Sequence, residues 1–378
     1  MAADCGPTSA KRARTEGPML RVCFVGCGGI SKCHLVAALS TGRVSVTCLV
    51  DPDKEKRKEL REKLTEALVS KGEAAGTVSE FDSLEAALEA DPDQEMFSAC
   101  DIMVPSFVVA GEDLHEKVTS VALHAKRHVF LEKPVTVSPE AAARLISLHA
   151  EVASEKVFAA AENARFWPEV LAAKECIEQG GIGEILTARA KFWESAGGPW
   201  ADDYLPGTWR CDESKLPAAS FTYDGASHWI RPLRMWMGEI SRVVGLCGRT
   251  LDHMPGASSS QHVLAFRSGK TAIFESMLAP KAISDQPFFT VQGTLGEIVL
   301  DGFDGGARLY TLNEKKETVS KEICNVGWDA GYAGEYVDFV EACLDGQPTK
   351  GPVSEALEDL KVVVALFKSA KTECWETV

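Results

Sequence analysis

The chain lacks the marks of several protein classes. None of its apolar runs approaches the roughly 18 residues needed for a membrane helix, so a membrane partner is not expected. It has no excess of positive charge: 40 Lys and Arg stand against 55 Asp and Glu, a net −15 that argues against a nucleic-acid surface. Its twelve cysteines form no CxxC pair, and no secretory leader precedes them. Several (Cys23, Cys27, Cys48, Cys100) lie in or beside apolar, strand-like runs, which favours buried thiols in a reducing compartment over disulfides or a metal site. A cytoplasmic location is the default. No internal repeat or low-complexity segment is found.

What is present is an ordinary globular composition, 45% hydrophobic and 25% charged, in 378 residues, more than one core usually supports. Two domains are expected behind a tail, residues 1–20, whose small polar stretch Met1 to Pro18 should be disordered. Within it Lys11-Arg12-Ala13-Arg14 reads either as a weak nuclear signal or as a solvated basic tail.

From residue 21 the pattern alternates strand and helix. Arg21 to Val25 is an apolar strand, Gly26-Cys27-Gly28-Gly29-Ile30-Ser31 a glycine turn, Ser31 to Leu39 a helix, and Val44 to Val50 a strand ending in Asp51. That is the order of a dinucleotide site: the first Gly turns the chain, the second lets the backbone approach a pyrophosphate, and the acid meets a ribose 2′-hydroxyl. The third fingerprint position is Ser31, where Gly is usual. A carboxylate at 51 favours NAD; Lys54, Lys56 and Arg57 keep NADP open as the binder of a 2′-phosphate, and Asp51 has an alternative use as the cap of the helix Lys54 to Val69. Helices Ser83 to Ala90, Leu114 to Ala125 and Glu140 to Ala153 alternate with strands Cys100 to Val104, His128 to Leu131 and Val157 to Ala161. Repeated units of this kind require a parallel, doubly wound sheet.

At the end of one strand stands Glu132-Lys133-Pro134. Proline cannot continue a ladder, so the charges fall at a C-terminal strand end, where open α/β sheets bind ligands. A surface ion pair is the alternative for this tripeptide alone. Further on, Asp224 and His228 are four apart, one face of a helix, so a carboxylate and an imidazole could address one substrate. A secondary alcohol loses its proton only to a base in reach, and His titrates near neutrality. Helix capping by Asp224, and packing of His228 beside Trp229, are the structural alternatives. Between Trp193 and Leu216 the loop-like stretch holding Trp193, Trp200, Tyr204, Trp209 and Arg210 suits the apolar faces and hydroxyls of a sugar or polyol, or else pins a long loop.

The glycine turn with Asp51, Glu132-Lys133-Pro134, Asn163-Ala164-Arg165-Phe166-Trp167-Pro168, Gly180-Gly181-Ile182-Gly183-Glu184-Ile185, and Asp224 with His228 together resemble the Gfo/Idh/MocA family, the glucose-fructose oxidoreductase and inositol dehydrogenase relatives. The resemblance implies an α/β fold: an N-terminal Rossmann domain (21–162), then a C-terminal α/β domain (163–378) on a large, mostly antiparallel open-faced sheet. Strand-like runs Leu186 to Phe192, Arg242 to Leu246, His262 to Phe266, Thr271 to Met277, Phe288 to Gln292 and Glu297 to Leu300 fit that independently, with turns at Gly269-Lys270 and Gly293 to Gly296. Helical periodicity marks Tyr332 to Leu344 and Val353 to Lys371, expected to pack back on the body.

By resemblance, Gly26, Gly28, Gly29, Ile30, Asp51, Pro105, Glu132 and Lys133 bind the cofactor, Lys133, Asp224 and His228 are catalytic, and Arg165, Trp167, Trp209 and Arg210 line the substrate site, with Asn163 beside them and no metal. In that reading Asp224 binds a substrate hydroxyl and raises the basicity of its neighbour. His115 matches a helix histidine that follows an apparent insertion, Phe107 to Asp113, able to reshape the nicotinamide pocket. A departure from the family pattern is Ala218-Ala219-Ser220, where glycines precede the Asp. The implied activity is hydride transfer between NAD and a secondary alcohol or carbonyl of a sugar, polyol or related cyclic alcohol, in a homodimer or homotetramer. Alternatives are a lyase or glycosidase using transient oxidation, and a non-catalytic cofactor-binding protein.

Overall fold

The computed structural model describes residues 17–74, 76–109, 112–196, 204–215, 220–281, 287–302 and 305–378. The basic tail at 11–14, Trp200, and Ala218 and Ala219 lie outside the described residues.

The first part of the chain alternates β1 (Leu20–Val25), α1 (Gly29–Ser40), β2 (Val44–Val50), α2 (Lys54–Ser70), β3 (Ser79–Phe81), α3 (Leu84–Glu89) and β4 (Ala99–Ile102). A two-stranded hairpin, β5 (Val108–Val109) with β6 (Glu112–Asp113), precedes α4 (Leu114–His124), β7 (His128–Glu132), α5 (Pro139–Val152) and β8 (Phe158–Ala161). The six long-range strands form one all-parallel sheet in the order β3-β2-β1-β4-β7-β8. Its central strands are buried on both faces, as β1 (Val22, Phe24) and β7 (Val129, Leu131) illustrate, because helices cover each side. Side-chain caps start the helices: Asp53 accepts from Glu55 N and Lys56 N, Ser83 from Ala86 N, and Ser138 from Ala141 N ahead of Pro139.

After a 3₁₀ turn at Asn163–Phe166 come α6 (Pro168–Glu178), β9 (Ile185–Ser195), a second 3₁₀ turn at Trp209–Cys211, α7 (Phe221–Gly225), α8 (Ser227–Met237), β10 (Ile240–Gly248), β11 (Ser259–Phe266), β12 (Thr271–Ala279), β13 (Phe289–Gly293), β14 (Gly296–Leu300), β15 (Ala307–Leu312), β16 (Thr318–Cys324), α9 (Ala330–Asp345), α10 (Val353–Thr372) and β17 (Glu376–Thr377). The nine strands form a second sheet, β16-β15-β14-β13-β9-β12-β11-β10-β17, antiparallel except for the β9–β12 pair. Strands β3, β5, β6 and β15 to β17 fall outside the expected set. β3 spans three residues and β17 two, too short for a period, and β16 is exposed along most of its length, so it carries no apolar stripe to read.

The last helices tie the two sheets together. Tyr336, Phe339 and Val340 of α9 complete the core under β1 and β7, while α10 gives Val353 and Leu357 to the other face of that sheet and Leu360, Val363 and Leu366 to the second core. Each such side chain, fully buried, contributes about 1.5–3 kcal/mol to holding the two sheets together.

Candidate active site at the end of the parallel sheet

The C-terminal ends of β1, β2, β4 and β7 share one edge, and the dinucleotide fingerprint lies along it. Gly26 has φ +101°, and a Cβ there would stand 2.7 Å from the Met103 carbonyl, so this position admits only glycine. Around Gly28 and Gly29 a Cβ would meet nothing within 4 Å, and the N-terminus of α1 has no side-chain cap. The turn is thus an open cradle of backbone N–H groups facing the positive end of a helix, which fits a pyrophosphate. Ser31 replaces the third glycine without disturbance, fully buried and donating to Gly28 O at 2.6 Å. Ile30 packs half-buried on the first core, and Pro105 is exposed just beyond β4.

Asp51 closes this cradle. The cap of α2 is Asp53, which leaves Asp51 to accept Cys27 N at 2.9 Å and Asp53 N at 2.9 Å. Arg57 is buried and paired with Glu80 and Asp82, so it is no longer available to a 2′-phosphate. The donor set therefore fits NAD: an acid for the ribose and no unpaired arginine behind it.

At the next strand end the Lys133-Pro134 peptide is cis. Glu132 turns inward, one carboxylate oxygen on His34 Nε2 at 3.0 Å and the other accepting the Lys133 N–H at 2.8 Å. His115 holds the following turn, its ring nitrogens 2.9 Å from Pro134 O and 2.7 Å from Val104 O. Lys133 points across the cleft and donates from Nζ to the Asp224 carbonyl at 3.3 Å. Lys133, from the end of β7, thereby meets α7 across the cleft, and it shares with His228 of α8 an electrostatic pull on Glu162.

The opposite wall is α7 and α8. Ser220 caps α7 through Tyr223 N, which frees Asp224 from that task, and Gly225 lies so close to the Phe192 ring that a Cβ would stand 2.4 Å from it. Asp224 accepts from Tyr204 Oη at 2.8 Å and Arg210 Nε at 2.8 Å. Burial pushes its carboxyl up, but Arg210 and then Lys133 outweigh that and hold it well below the usual carboxylate range. The carboxylate bonded to His228 is a different one, Glu162, 2.5 Å from Nδ1.

Glu162 has no place among the expected site residues, although it ends the apolar run Ala159-Ala160-Ala161 just as Glu132 ends His128 to Leu131. That shared signature, an apolar strand stopping on a carboxylate at the binding edge, is the signal that could have found it.

The other expected residues divide. Trp209 carries Arg210 over its ring at 4.4 Å and meets Phe107 at 5.8 Å, so the hairpin at 107–113 reaches the cleft; Val108 N also donates to Lys215 O at 2.8 Å. Trp167 stands 6.2 Å from the His228 ring, packed under Gly331. Arg165 turns away toward Glu355, 4.0 Å distant, at the start of α10, and Asn163 is buried. Trp193 lies beneath Lys191, whose Nζ is 3.7 Å from its ring.

Comparison with known proteins agrees with this layout. The model of an oxidoreductase family with an NAD-binding Rossmann fold matches residues 20–159, and that of its C-terminal alpha/beta domain matches 174–378. Levoglucosan dehydrogenase of Pseudarthrobacter phenanthrenivorans is 28% identical over 160 residues, 42% of this chain and 39% of that protein's length. The 2,7-anhydro-N-acetylneuraminate hydratase of Escherichia coli is 28% identical over 205 residues, 53% of this chain and 52% of the hydratase. Among solved structures, a levoglucosan dehydrogenase in complex with NADH and levoglucosan superposes with a TM-score of 0.78 at 20% identity, covering 95% of this chain and 99% of that one. Among the described residues no helix is long and apolar enough to cross a membrane.

Proposed function

Because the chain belongs to the Gfo/Idh/MocA family of oxidoreductases, with its NAD-binding Rossmann fold and its C-terminal alpha/beta domain, we propose that it oxidises or reduces a secondary alcohol or carbonyl of a sugar, polyol or related cyclic alcohol. The observation that carries this reading is the bond from Lys133, on the cofactor side, to the Asp224 carbonyl of the opposite wall, with His228 held against Glu162, which Lys133 also attracts.

NAD, when bound, supplies the hydride acceptor at its nicotinamide ring. The turn at 26–30 and Asp51 hold the dinucleotide. Lys133, tied back to the Asp224 carbonyl, orients the reacting oxygen and stabilises negative charge on it. His228 takes the hydroxyl proton in oxidation and returns it in reduction. Asp224, already holding Arg210 and Tyr204, fixes that aromatic and cationic wall, and Trp209 offers an apolar face to a sugar ring.

The levoglucosan complex of a structural neighbour and the hydratase among the relatives both point toward carbohydrate-like substrates. Exposed apolar residues on one face of the large sheet, the paired Val263 and Ile273 among them, support a homodimer or homotetramer, which sedimentation of the purified chain tests.

A screen of sugars and polyols for NADH appearance, with NADP in parallel, tests the activity. NADH formation by the wild type and its loss in Lys133→Ala, with NAD binding retained, is the expected result. Substrate cleavage without net NADH would replace this reading with transient oxidation, and full activity of Lys133→Ala would overturn it.

A further inference from the structure

Glu162 is the residue on which the parallel sheet hands the chain to the second sheet. It follows β8, opens the 3₁₀ turn by accepting Ala164 N at 3.2 Å, and is 4% exposed. The same oxygen, Oε1, lies 2.5 Å from His228 Nδ1, while Oε2 has no partner among the described residues. Burial pushes this carboxyl up, but the opposing pull of His228, with Ser227 and Lys133 close by, holds it down to about 2. An ionised carboxylate only accepts hydrogen bonds, so the proton on the shared edge belongs to Nδ1. In the neutral ring the lone pair is then on Nε2. His228 is 17% exposed in its side chain, enough for that second nitrogen to meet a substrate.

We propose that Glu162 is the positioning residue of His228: it fixes the tautomer and the plane of the ring and stabilises the imidazolium once the hydroxyl proton arrives. The proposal rests on the reading of His228 as the acid–base group. In oxidation the substrate O–H bond would break toward His228 Nε2 and its electron pair would form the carbonyl, the displaced C–H pair going to the hydride acceptor that bound NAD would supply. Glu162 keeps its charge throughout and takes no proton, as expected for a carboxylate that orients a histidine.

The competing role is purely structural, a cap on the 3₁₀ turn. Glu162→Gln separates the two, because a glutamine oxygen still accepts Ala164 N–H while the charge facing Nδ1 is gone. The other charged groups around the ring are Lys133 and Glu132 at the end of β7, Glu335 of α9 and Asp359 of α10, which reach it directly or through Glu162. None of these is bonded to the ring among the described residues.

The test is a pH profile of kcat and KM for the wild type and Glu162→Gln, using the best alcohol from the screen. The expected result is a fall in kcat of about 10²-fold, little change in KM, and an acid limb of kcat moved to lower pH. An unchanged limb and kcat would overturn the proposal, since a capping role alone leaves both in place. A second measurement needs no turnover: proton NMR of the wild-type protein should contain a far-downfield histidine resonance that vanishes in His228→Gln and in Glu162→Gln. Its absence from the wild type overturns the proposal even if Glu162→Gln fails to fold. Should the wild type oxidise no alcohol at all, the proposed activity fails, and the resonance still decides the role of Glu162.

Discussion

Two histidines in this chain sit against carboxylates, and the contrast between them separates bracing from the acid–base role proposed for His228. His34 of α1 is fully buried; its Nδ1 is 2.9 Å from Asp101 and its Nε2 3.0 Å from Glu132. Burial pushes its pKa down, but Asp101 and then Glu132 outweigh that and hold it well above the usual histidine value. Both ring nitrogens donate, so His34 is an imidazolium with no lone pair to offer. His228 has one nitrogen on Glu162 and the other open. A buried histidine becomes a base only where one edge is left unspent. His34 serves the site indirectly, since the Glu132 it holds grips the Lys133 peptide N–H.

Exchanging the two residues' roles by mutation is the sharpest way to break this contrast. His228→Ala should remove about 10²–10⁴-fold of turnover with NAD binding retained, and, by leaving the buried Glu162 without its donor, should cost about 1–3 kcal/mol of stability. His34→Ala should act mainly on stability, with turnover falling only as far as the Glu132 grip on the Lys133 peptide loosens. It leaves Asp101 and Glu132 with no cation between them, and losing one partner of a buried ion pair typically costs about 3–5 kcal/mol. Chemical denaturation followed by fluorescence measures this; a loss under about 1 kcal/mol would mean that the buried network is not ionised as described. A smaller effect belongs to Tyr336→Phe, which deletes the hydroxyl that Asp101 accepts. About 1–3 kcal/mol of stability should be lost there, with kcat unaltered.

The same contrast explains what was legible in the sequence. The dinucleotide turn was readable because its parts are local: Gly26, Gly28, Gly29 and Asp51 follow one another through a single strand-helix-strand unit whose geometry dictates its residues. Lys133 was readable because Pro134 marks the strand end. The partners that tune the site were not. Glu162 and His228 are 66 residues apart, His34 and Glu132 98, and Asp101 and Tyr336 235. No spacing rule spans such distances: α1 packing on the parallel sheet joins His34 to Glu132, α8 against the end of β8 joins His228 to Glu162, and α9 returning from the far end of the chain joins Tyr336 to Asp101. The alternative use of Asp51 and Asp224 as helix caps falls away, because Asp53 and Ser220 cap those helices.

The smallest expected effect concerns the third carboxyl facing His34. Glu335 is buried, its Oε1 4.0 Å from His34 Nε2, and neither oxygen has a hydrogen-bond partner among the described residues. Burial pushes its carboxyl well above the ordinary value, and Glu132, Glu162 and Asp101 add to the rise against the pull of His34. An acid with a raised folded pKa favours the folded state only while protonated. Its contribution is intact below the unfolded value near 4.5 and declines as pH climbs toward the folded one, by at most about 1.4 kcal/mol per unit. His34 gives a slope of the same sign, but only above its unfolded value near 6.5, as the imidazolium is lost. Between pH 5 and 6.5 Glu335 therefore acts without His34. Glu335→Gln, a permanent mimic of the neutral acid, should match the wild type near pH 5 and exceed it by about 1 kcal/mol near pH 6.5. Parallel unfolding curves with no widening gap across that window would show that Glu335 is ionised in the folded protein, and His34 would then be shared among three anions instead of two.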